Sequence, residues 1–421
     1  MRDDPAPNMS PLILRNISEL IAVPRGPVEG RSMRGVQRIG RAAVVMEDEC
    51  IAWFGPESGV NAPAAARTFD AHGGCVVPGL VDCHTHTIFA GTREDEFAAR
   101  IGGKTYAEIA AAGGGILRTM RAVRESTLDE LVATAAPRLC RMLSRGITTI
   151  EIKSGYGLTV EDELKMLRAV RRLAETQPAE LIATYLAAHA VPPEFNGRAD
   201  AYLDALLNDA VLGLIRDERL AEFCDVFCET IAFDLAQSRR VLDRAARFGL
   251  RAKIHADQIT QMGASRMAAE LGAVSADHLE HIDDAGIAAL KHSGTIPVLL
   301  PGCSFFLGVA YPPARKLLDT DLPVAIATDF NPGSSMIESL PLVMTIVCTQ
   351  MRMTPIETLV AATANAAAAV ARQDRLGAVA TGAQADLVVL DVPNIESWMY
   401  EPGRDAVRTV FKRGRVVFSA P

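Results

Sequence analysis

Two histidines, His84 and His86, stand where an apolar, β-branched run ends in VVPGLVDCHTHTIFAG. Residues i and i+2 of a strand point to one face, so both imidazoles project side by side into the same space. That placement suits a metal ion. Further along, His189 lies in LIATYLAAHA, His255 in AKIHADQ, His278 and His281 in SADHLEH, and Asp329 in AIATDFNPG, each near the end of a short apolar run. Six of the eight histidines in the chain are placed this way. A lone histidine on an apolar element is more often a satisfied core residue than a ligand, so the weight rests on their convergence. Neutral imidazoles with one carboxylate suit Zn²⁺ or a similar divalent ion, and a site with few protein ligands leaves a position for water.

Bringing these residues to one rim requires strands that end together. From about residue 76 to about residue 375, short apolar runs alternate with amphipathic helical stretches such as ESTLDELVATAAPRLCRMLSRG and SRRVLDRAARFG. Eight strand candidates follow one another: GCVVPGLVDCHTH, TTIEIKSG, LIATYLAAHA, CDVFCET, RAKIHADQ, AVSADHLEH, TIPVLLPG and VAIATDFNPG. The pattern predicts an α/β fold, a (β/α)₈ barrel over 76–375 with its active site at the C-terminal strand ends. Outside it, PLILRN, RAAVVM and CIAWFG come before, and QADLVVLDV and VRTVFKRGRVVFSA come after. Residues 1–75 and 376–421 are therefore expected to combine into one small, β-sandwich-like domain.

With 421 residues and 49% hydrophobic side chains, the chain can bury a large core and has no need of disulfide staples. Its eight scattered cysteines fit a reducing cytoplasm. Cys224 and Cys228 in CDVFC lack a second pair at zinc-finger spacing and read as buried thiols. A formal net charge of -8 argues against nucleic acid or an anionic membrane surface as the main partner. No segment reaches the roughly 20 apolar residues of a membrane span. The opening MRDDPAPNMSPLILRNISEL reads neither as a secretory signal nor as a transit peptide. AAGGG, residues 111–115, lacks the Gly-Lys-Ser/Thr ending of a phosphate loop and is equally a mobile loop over the mouth or a helix break.

PGLVDCHTH, a lone His ending the fifth strand, a further His ending the sixth and an Asp ending the eighth resemble the amidohydrolase superfamily, whose barrel carries a mononuclear or binuclear metal centre. The likeness runs over nearly the whole chain, the split β domain included. FAGTREDEFAARIGGKTYAEIAAAGGGI, IEIKSGYGL, IHADQ, SADHLEH and ATDFNPGS further resemble the branch that opens the ring of 4-imidazolone-5-propanoate in histidine degradation. This resemblance implies that His84, His86, His255 and Asp329 hold one metal ion per subunit, zinc or alternatively iron. Such an ion lowers the pKa of its water to about 7. The resemblance also implies that Asp329 moves the water proton to the departing ring nitrogen while His278 stabilises the charge of the tetrahedral intermediate. The product would be N-formimidoyl-L-glutamate.

The propanoate needs a receptor, and the planar fork of Arg93, seven residues past His86, suits a carboxylate. The residues alone leave Arg93 open between that role and a solvated loop charge paired with Glu94 or Asp95; the resemblance favours substrate binding. Tyr156, His189, Asn331, Gly333 and Ser334 also match substrate positions of the family. Gln258 departs from members that carry Glu there; it can hydrogen-bond the ring but cannot exchange a proton at neutral pH, so proton traffic falls on Asp329 and His278. Lys153, two residues past Glu151, gives no reason to expect a carboxylated bridge between two metals. A guanine or cytosine deaminase shares the metal frame but has no carboxylate for Arg93 to bind. A metal-free assembly protein would lack the ligands. The resemblance implies a small substrate bearing a carboxylate and a homodimer.

Overall fold

In the computed structural model, which describes residues 10–63, 65–104, 108 and 113–421, the two kinds of apolar run fold into two separate sheets. First come β1 (Leu12–Ala22), β2 (Gln37–Glu47), β3 (Cys50–Pro56), β4 (Arg67–Asp70) and β5 (Cys75–Pro78). The middle holds β6 (Leu80–Asp82), β7 (Ile147–Lys153), β8 (Glu180–Ala188), β9 (Phe223–Val226), β10 (Arg251–Ala256), β11 (Ser275–His278), β12 (Ile296–Leu299) and β13 (Ala325–Ile326). The last are β14 (Leu387–Leu390), β15 (Val407–Lys412) and β16 (Arg415–Ser419).

The first five and last three strands make one mixed sheet in the order β16-β15-β14-β5-β1-β2-β3, with β4 beside β1. Alternation along these strands buries Leu14, Leu20, Val44, Val76, Leu387 and Phe411 in one cluster. The middle eight strands are parallel and follow chain order, with helices between them, as a (β/α)₈ barrel requires. Covered on both faces, β7 is buried at every residue, which is why these strands read as continuous apolar runs. The outer helices have sharp local boundaries. Before the helix Leu128–Ser144, Thr127 accepts from the Glu130 amide at 3.2 Å and the Glu130 carboxylate accepts from the Thr127 amide at 2.8 Å. Leu131, Ala135, Leu139 and Met142 of that helix then form the stripe that packs on the barrel.

The expected first barrel strand, GCVVPGLVDCHTH, is in fact two strands. β5 pairs with β1 and β14 in the terminal sheet, and only β6 enters the barrel, beside β7. The changeover is Gly79, where an added Cβ would lie 2.4 Å from Thr148 Oγ1 and 3.0 Å from Asp386 Cβ. Only a residue without a side chain lets the two sheets approach so closely. Hydrophobicity cannot reveal the split, because both halves are buried.

Bonds just beyond the ends of β6 and β13 draw the barrel closed. The Asp329 amide donates to the His84 carbonyl at 3.1 Å, and the His86 amide donates to the Phe330 carbonyl at 2.9 Å. The seam of the ring therefore includes His84, His86 and Asp329, whose side chains gather at the site. The terminal sheet meets the barrel at Glu180, which begins β8 and pairs with Arg372, Arg375 and, at 3.8 Å, Lys412 of β15. Of AAGGG, Ala111 and Ala112 lie outside the described residues. Gly113 and Gly115 take φ of +83° and +75° just before the helix Ile116–Glu125, a backbone that favours glycine. Among the described residues, no helix is long and apolar enough to cross a membrane.

Candidate metal centre and active site

The loops after β6 and β13, with the ends of β10 and β11, place four imidazoles and a carboxylate at the barrel mouth. Ring centroids of His84 and His255 are 4.6 Å apart, those of His84 and His86 5.4 Å, and those of His255 and His278 5.3 Å. His84 Nε2 and His86 Nε2 lie 3.5 and 3.6 Å from Asp329 Oδ1. Ligand atoms of His84, His86 and Asp329 fall within 4.8 Å of one another, and so do those of His84, His255 and His278. The two triads share His84. Nε2 of His84 and of His255 are buried without a hydrogen-bond partner among the described residues, a cost that a bound cation removes. Burial depresses His84 and His86 well below the ordinary histidine range and His255 to about 4, which keeps all three in the neutral, ligating form. The donor set fits a divalent cation.

A layer of buried charge beneath these rings orients them. His84 Nδ1 lies 2.6 Å from Asp277 Oδ2, and His255 Nδ1 lies 3.0 Å from Asp225 Oδ1, so each ring turns its Nε2 toward the site. Lys153 Nζ stands 2.8 Å from both Glu151 and Asp225 and 3.8 Å from Asp277, and all four side chains are fully buried. Lys253 Nζ adds a contact to Asp277 at 3.9 Å and donates to the Ala369 carbonyl at 2.9 Å. Lys153 is thus the hub of an ion network. Sequence reasoning missed Asp225 and Asp277; the available signal was an acid inside a short apolar strand, in CDVFC and in SADH.

His278 and Asp329 both sit at positive φ, +83° and +52°, where non-glycine residues are strained and where functional residues often occur. Burial by itself would depress His278. Glu280, whose Oε1 is 3.5 Å from His278 Nδ1, together with Asp329 and Asp277, outweighs that effect and raises it. Burial raises Asp329 to about 7, against the opposing charge of His278. His281, grouped with the mouth residues on sequence, is instead exposed on the turn after β11. The left-handed pair His278 and Leu279 bends the chain away, and the His281 amide donates to the Asp257 carbonyl at 2.8 Å.

Above the rings opens a cavity of about 900 Å³. His189 and Tyr156 form one wall: His189 stacks on His86 at 5.1 Å and its Nδ1 is 2.9 Å from the Gly155 carbonyl, while Tyr156 lies 5.7 Å from His86. Burial lowers His189 to about 4 and holds it neutral. Gln258 also lines the cavity, with Nε2 3.8 Å from Cys303 Sγ. The loop after β13 is folded by Asn331, whose Oδ1 accepts from the Gly333 and Ser334 amides at 2.8 Å. Arg93 is not a solvated charge paired with Glu94 or Asp95. Its side chain is 12% exposed and pairs with Glu96 at 2.8 Å. Arg100, not singled out from the sequence, lines the same cavity. Cys224 and Cys228 are buried free thiols that do not line it.

The amidohydrolase family model matches residues 75–417. The imidazolonepropionase of Chloroflexus aggregans is 47% identical over 419 residues, covering 96% of this chain and 98% of that protein. That of Symbiobacterium thermophilum is 42% identical over 411 residues, covering 96% and 97%. Among solved structures, Escherichia coli guanine deaminase superposes with a TM-score of 0.73 over 98% of this chain and all of that one, at 15% identity, a likeness of fold alone. Identity at this level over nearly full length, on a barrel whose rim gathers four imidazoles and a carboxylate, shows that the chain belongs to the imidazolonepropionase family of the amidohydrolases.

Proposed function

We propose that the chain catalyses the imidazolonepropionase reaction, metal-dependent hydrolysis of the ring amide C–N bond of 4-imidazolone-5-propanoate to N-formimidoyl-L-glutamate, in histidine degradation. The observation that carries this reading is a ligand-grade His/Asp cluster under a cavity whose wall bears arginine, a pairing that a neutral nucleobase does not need. His84, His86, His255 and Asp329 would hold one ion, zinc or alternatively iron. When bound, that ion supplies Lewis-acid activation of water at neutral pH. Asp329, turned into the cavity by its left-handed backbone, accepts the proton of the attacking water and passes it to the departing ring nitrogen. His278, whose proton is favoured by the neighbouring Glu280, donates to the ring carbonyl oxygen as negative charge develops there. Tyr156, His189 and Gln258 flank the ring, and Gln258 serves only as a hydrogen-bond partner. Arg93, with Gly333 and Ser334 of the adjoining loop, receives the propanoate. The barrel, entered at Leu80 of β6, carries this site, with the sheet of the two terminal segments as the accessory β domain. Eight free thiols support work in a reducing cytoplasm.

The test is direct. Protein loaded with Zn²⁺ or Fe²⁺ should consume 4-imidazolone-5-propanoate, followed by ultraviolet absorbance, and release one equivalent of N-formimidoyl-L-glutamate. Chelation should stop the reaction and added metal restore it. Turnover of guanine or cytosine with none of the imidazolone would overturn the reading in favour of a deaminase.

A further inference from the structure

The cavity wall carries two arginines, Arg93 and Arg100, beside the carboxylates of Glu94, Glu96 and Asp329. Arg93 and Arg100 reach the same spot, Gly333. A Cβ added to Gly333 would lie 2.4 Å from Arg93 Nη1, and Arg100 Nη1 stands 3.5 Å from the Gly333 carbonyl. The acid that pairs with an arginine of this wall is Glu96, and Arg93 already holds it. Arg93 Nε and Nη2 each lie 2.8 Å from Glu96 Oε2, while Oε1 accepts from the Gly115 amide at 3.1 Å.

Arg100 has no such partner. No ion pair to a carboxylate forms at Arg100 among the described residues, and its polar contacts are two carbonyl oxygens at 3.5 Å, those of Gly333 and Phe306. The rings of Phe97 and Phe306, with centroids 5.7 and 5.1 Å away, flank the guanidinium; they displace water from it but bring no negative charge. Burial and the neighbouring Arg93 act against its charge and outweigh the support of Glu96. A guanidinium so placed is under-compensated until an anion arrives.

The geometry points to Arg100 as the second cation of the substrate's carboxylate receptor, closing on the propanoate together with the Nη1 edge that Arg93 keeps free of Glu96. This rests on the reaction proposed above and adds a specificity residue to it. The division of labour follows from the contacts. Arg93, with two of its nitrogens on Glu96, has one to offer, whereas Arg100, held by no more than two carbonyl contacts at 3.5 Å among the described residues, can turn its fork to make two parallel hydrogen bonds to one carboxylate.

The experiment reads binding, so it answers even for a protein that fails to hydrolyse the imidazolone. Calorimetry on the metal-loaded protein compares 3-(imidazol-4-yl)propanoate with its neutral counterpart 4-propylimidazole. In Arg100→Ala the charged probe should weaken about 10- to 100-fold, the scale of one desolvated charge partner, and the neutral probe should change less than about twofold. Arg100→Lys, which keeps the charge and the aliphatic stem, should recover part of the loss. Equal weakening of both probes, or unchanged affinity for the charged one, would overturn the assignment. Failure of the wild type to hydrolyse 4-imidazolone-5-propanoate would overturn the proposed reaction while leaving this result readable.

Discussion

At the floor of the cavity every charged side chain is held by another. Asp277 braces His84, Asp225 braces His255, and Lys153 ties both acids to Glu151, all at full burial on parallel strands. At the mouth the side chains come from the loop after β6, the short helix Glu94–Ile101 and the loop after β13. They include an arginine paired with a single acid and an arginine that, among the described residues, pairs with none, beside apolar neighbours such as Phe97, Ile231, Ile259 and Met336 that remain 42–63% exposed. The contrast separates two demands. Histidine ligands must be rigid, which a charged layer on strands provides, and neutral, which burial provides, before anything binds. Selection of a substrate is left to groups whose charge is completed only by the substrate itself.

The largest effect expected from breaking the floor is at His255. His255→Ala should lose metal, measured by elemental analysis, and fall to background turnover together, because one neutral ligand and the Asp225 contact go at once. Full metal occupancy with unchanged turnover would remove His255 from the site. The mouth should fail differently. Arg93→Ala should lower kcat/KM for the charged substrate by roughly 2 to 5 kcal/mol with normal metal content. Because the same change strips Glu96 of its partner, Arg93→Ala with Glu96→Gln should regain stability but not substrate affinity. Recovery of kcat/KM in that double variant would mean that Arg93 serves Glu96 alone.

One layer further down, Asp225→Ala and Asp277→Ala should weaken metal binding about 10- to 100-fold in competition with a chelator. Equal metal affinity in these variants would reduce the buried layer to packing. The sequence displayed the ligand rim because histidines at the ends of apolar runs are conspicuous against a strand background. It hid the bracing layer because Asp225 and Asp277 are single acids inside short strands, and only the fold shows that they lie behind the imidazoles. Gly79 was invisible for a related reason: two buried strands of different sheets have the same composition as one. His281 was misplaced because spacing after His278 assumes a continuing strand, whereas the chain turns left-handed at His278 itself. Arg100 lies on a helix whose pattern reads as solvent-facing, and only the approach of Gly333 and Phe306 brings it to the cavity.

The smallest effect concerns the seam between the two sheets, far from the chemistry. Burial alone would raise Glu180, but hydrogen bonds from Arg375 and Arg372 and the charge of Lys412 hold it below its ordinary value of 4.5. A depressed carboxylate contributes stability that is complete above that value and is lost as pH falls through the folded pKa. Glu180→Gln should therefore unfold in urea with about 1 to 2 kcal/mol less stability at neutral pH, and the gap to wild type should close in acid. A gap that persists unchanged in acid would mean that the ion pairs contribute nothing at this seam.

In the proposed site the floor holds one ion through His84, His86, His255 and Asp329, leaving His278 to act on the substrate, although ligand atoms of His84, His255 and His278 also fall within 4.8 Å of one another. Metal stoichiometry of His278→Ala, measured beside its turnover, tests this most directly. One ion per chain should remain, with turnover down on the order of 100- to 1,000-fold. Loss of the ion in step with activity, or two ions per chain in the wild type falling to one in the variant, would make His278 a ligand and contradict the account.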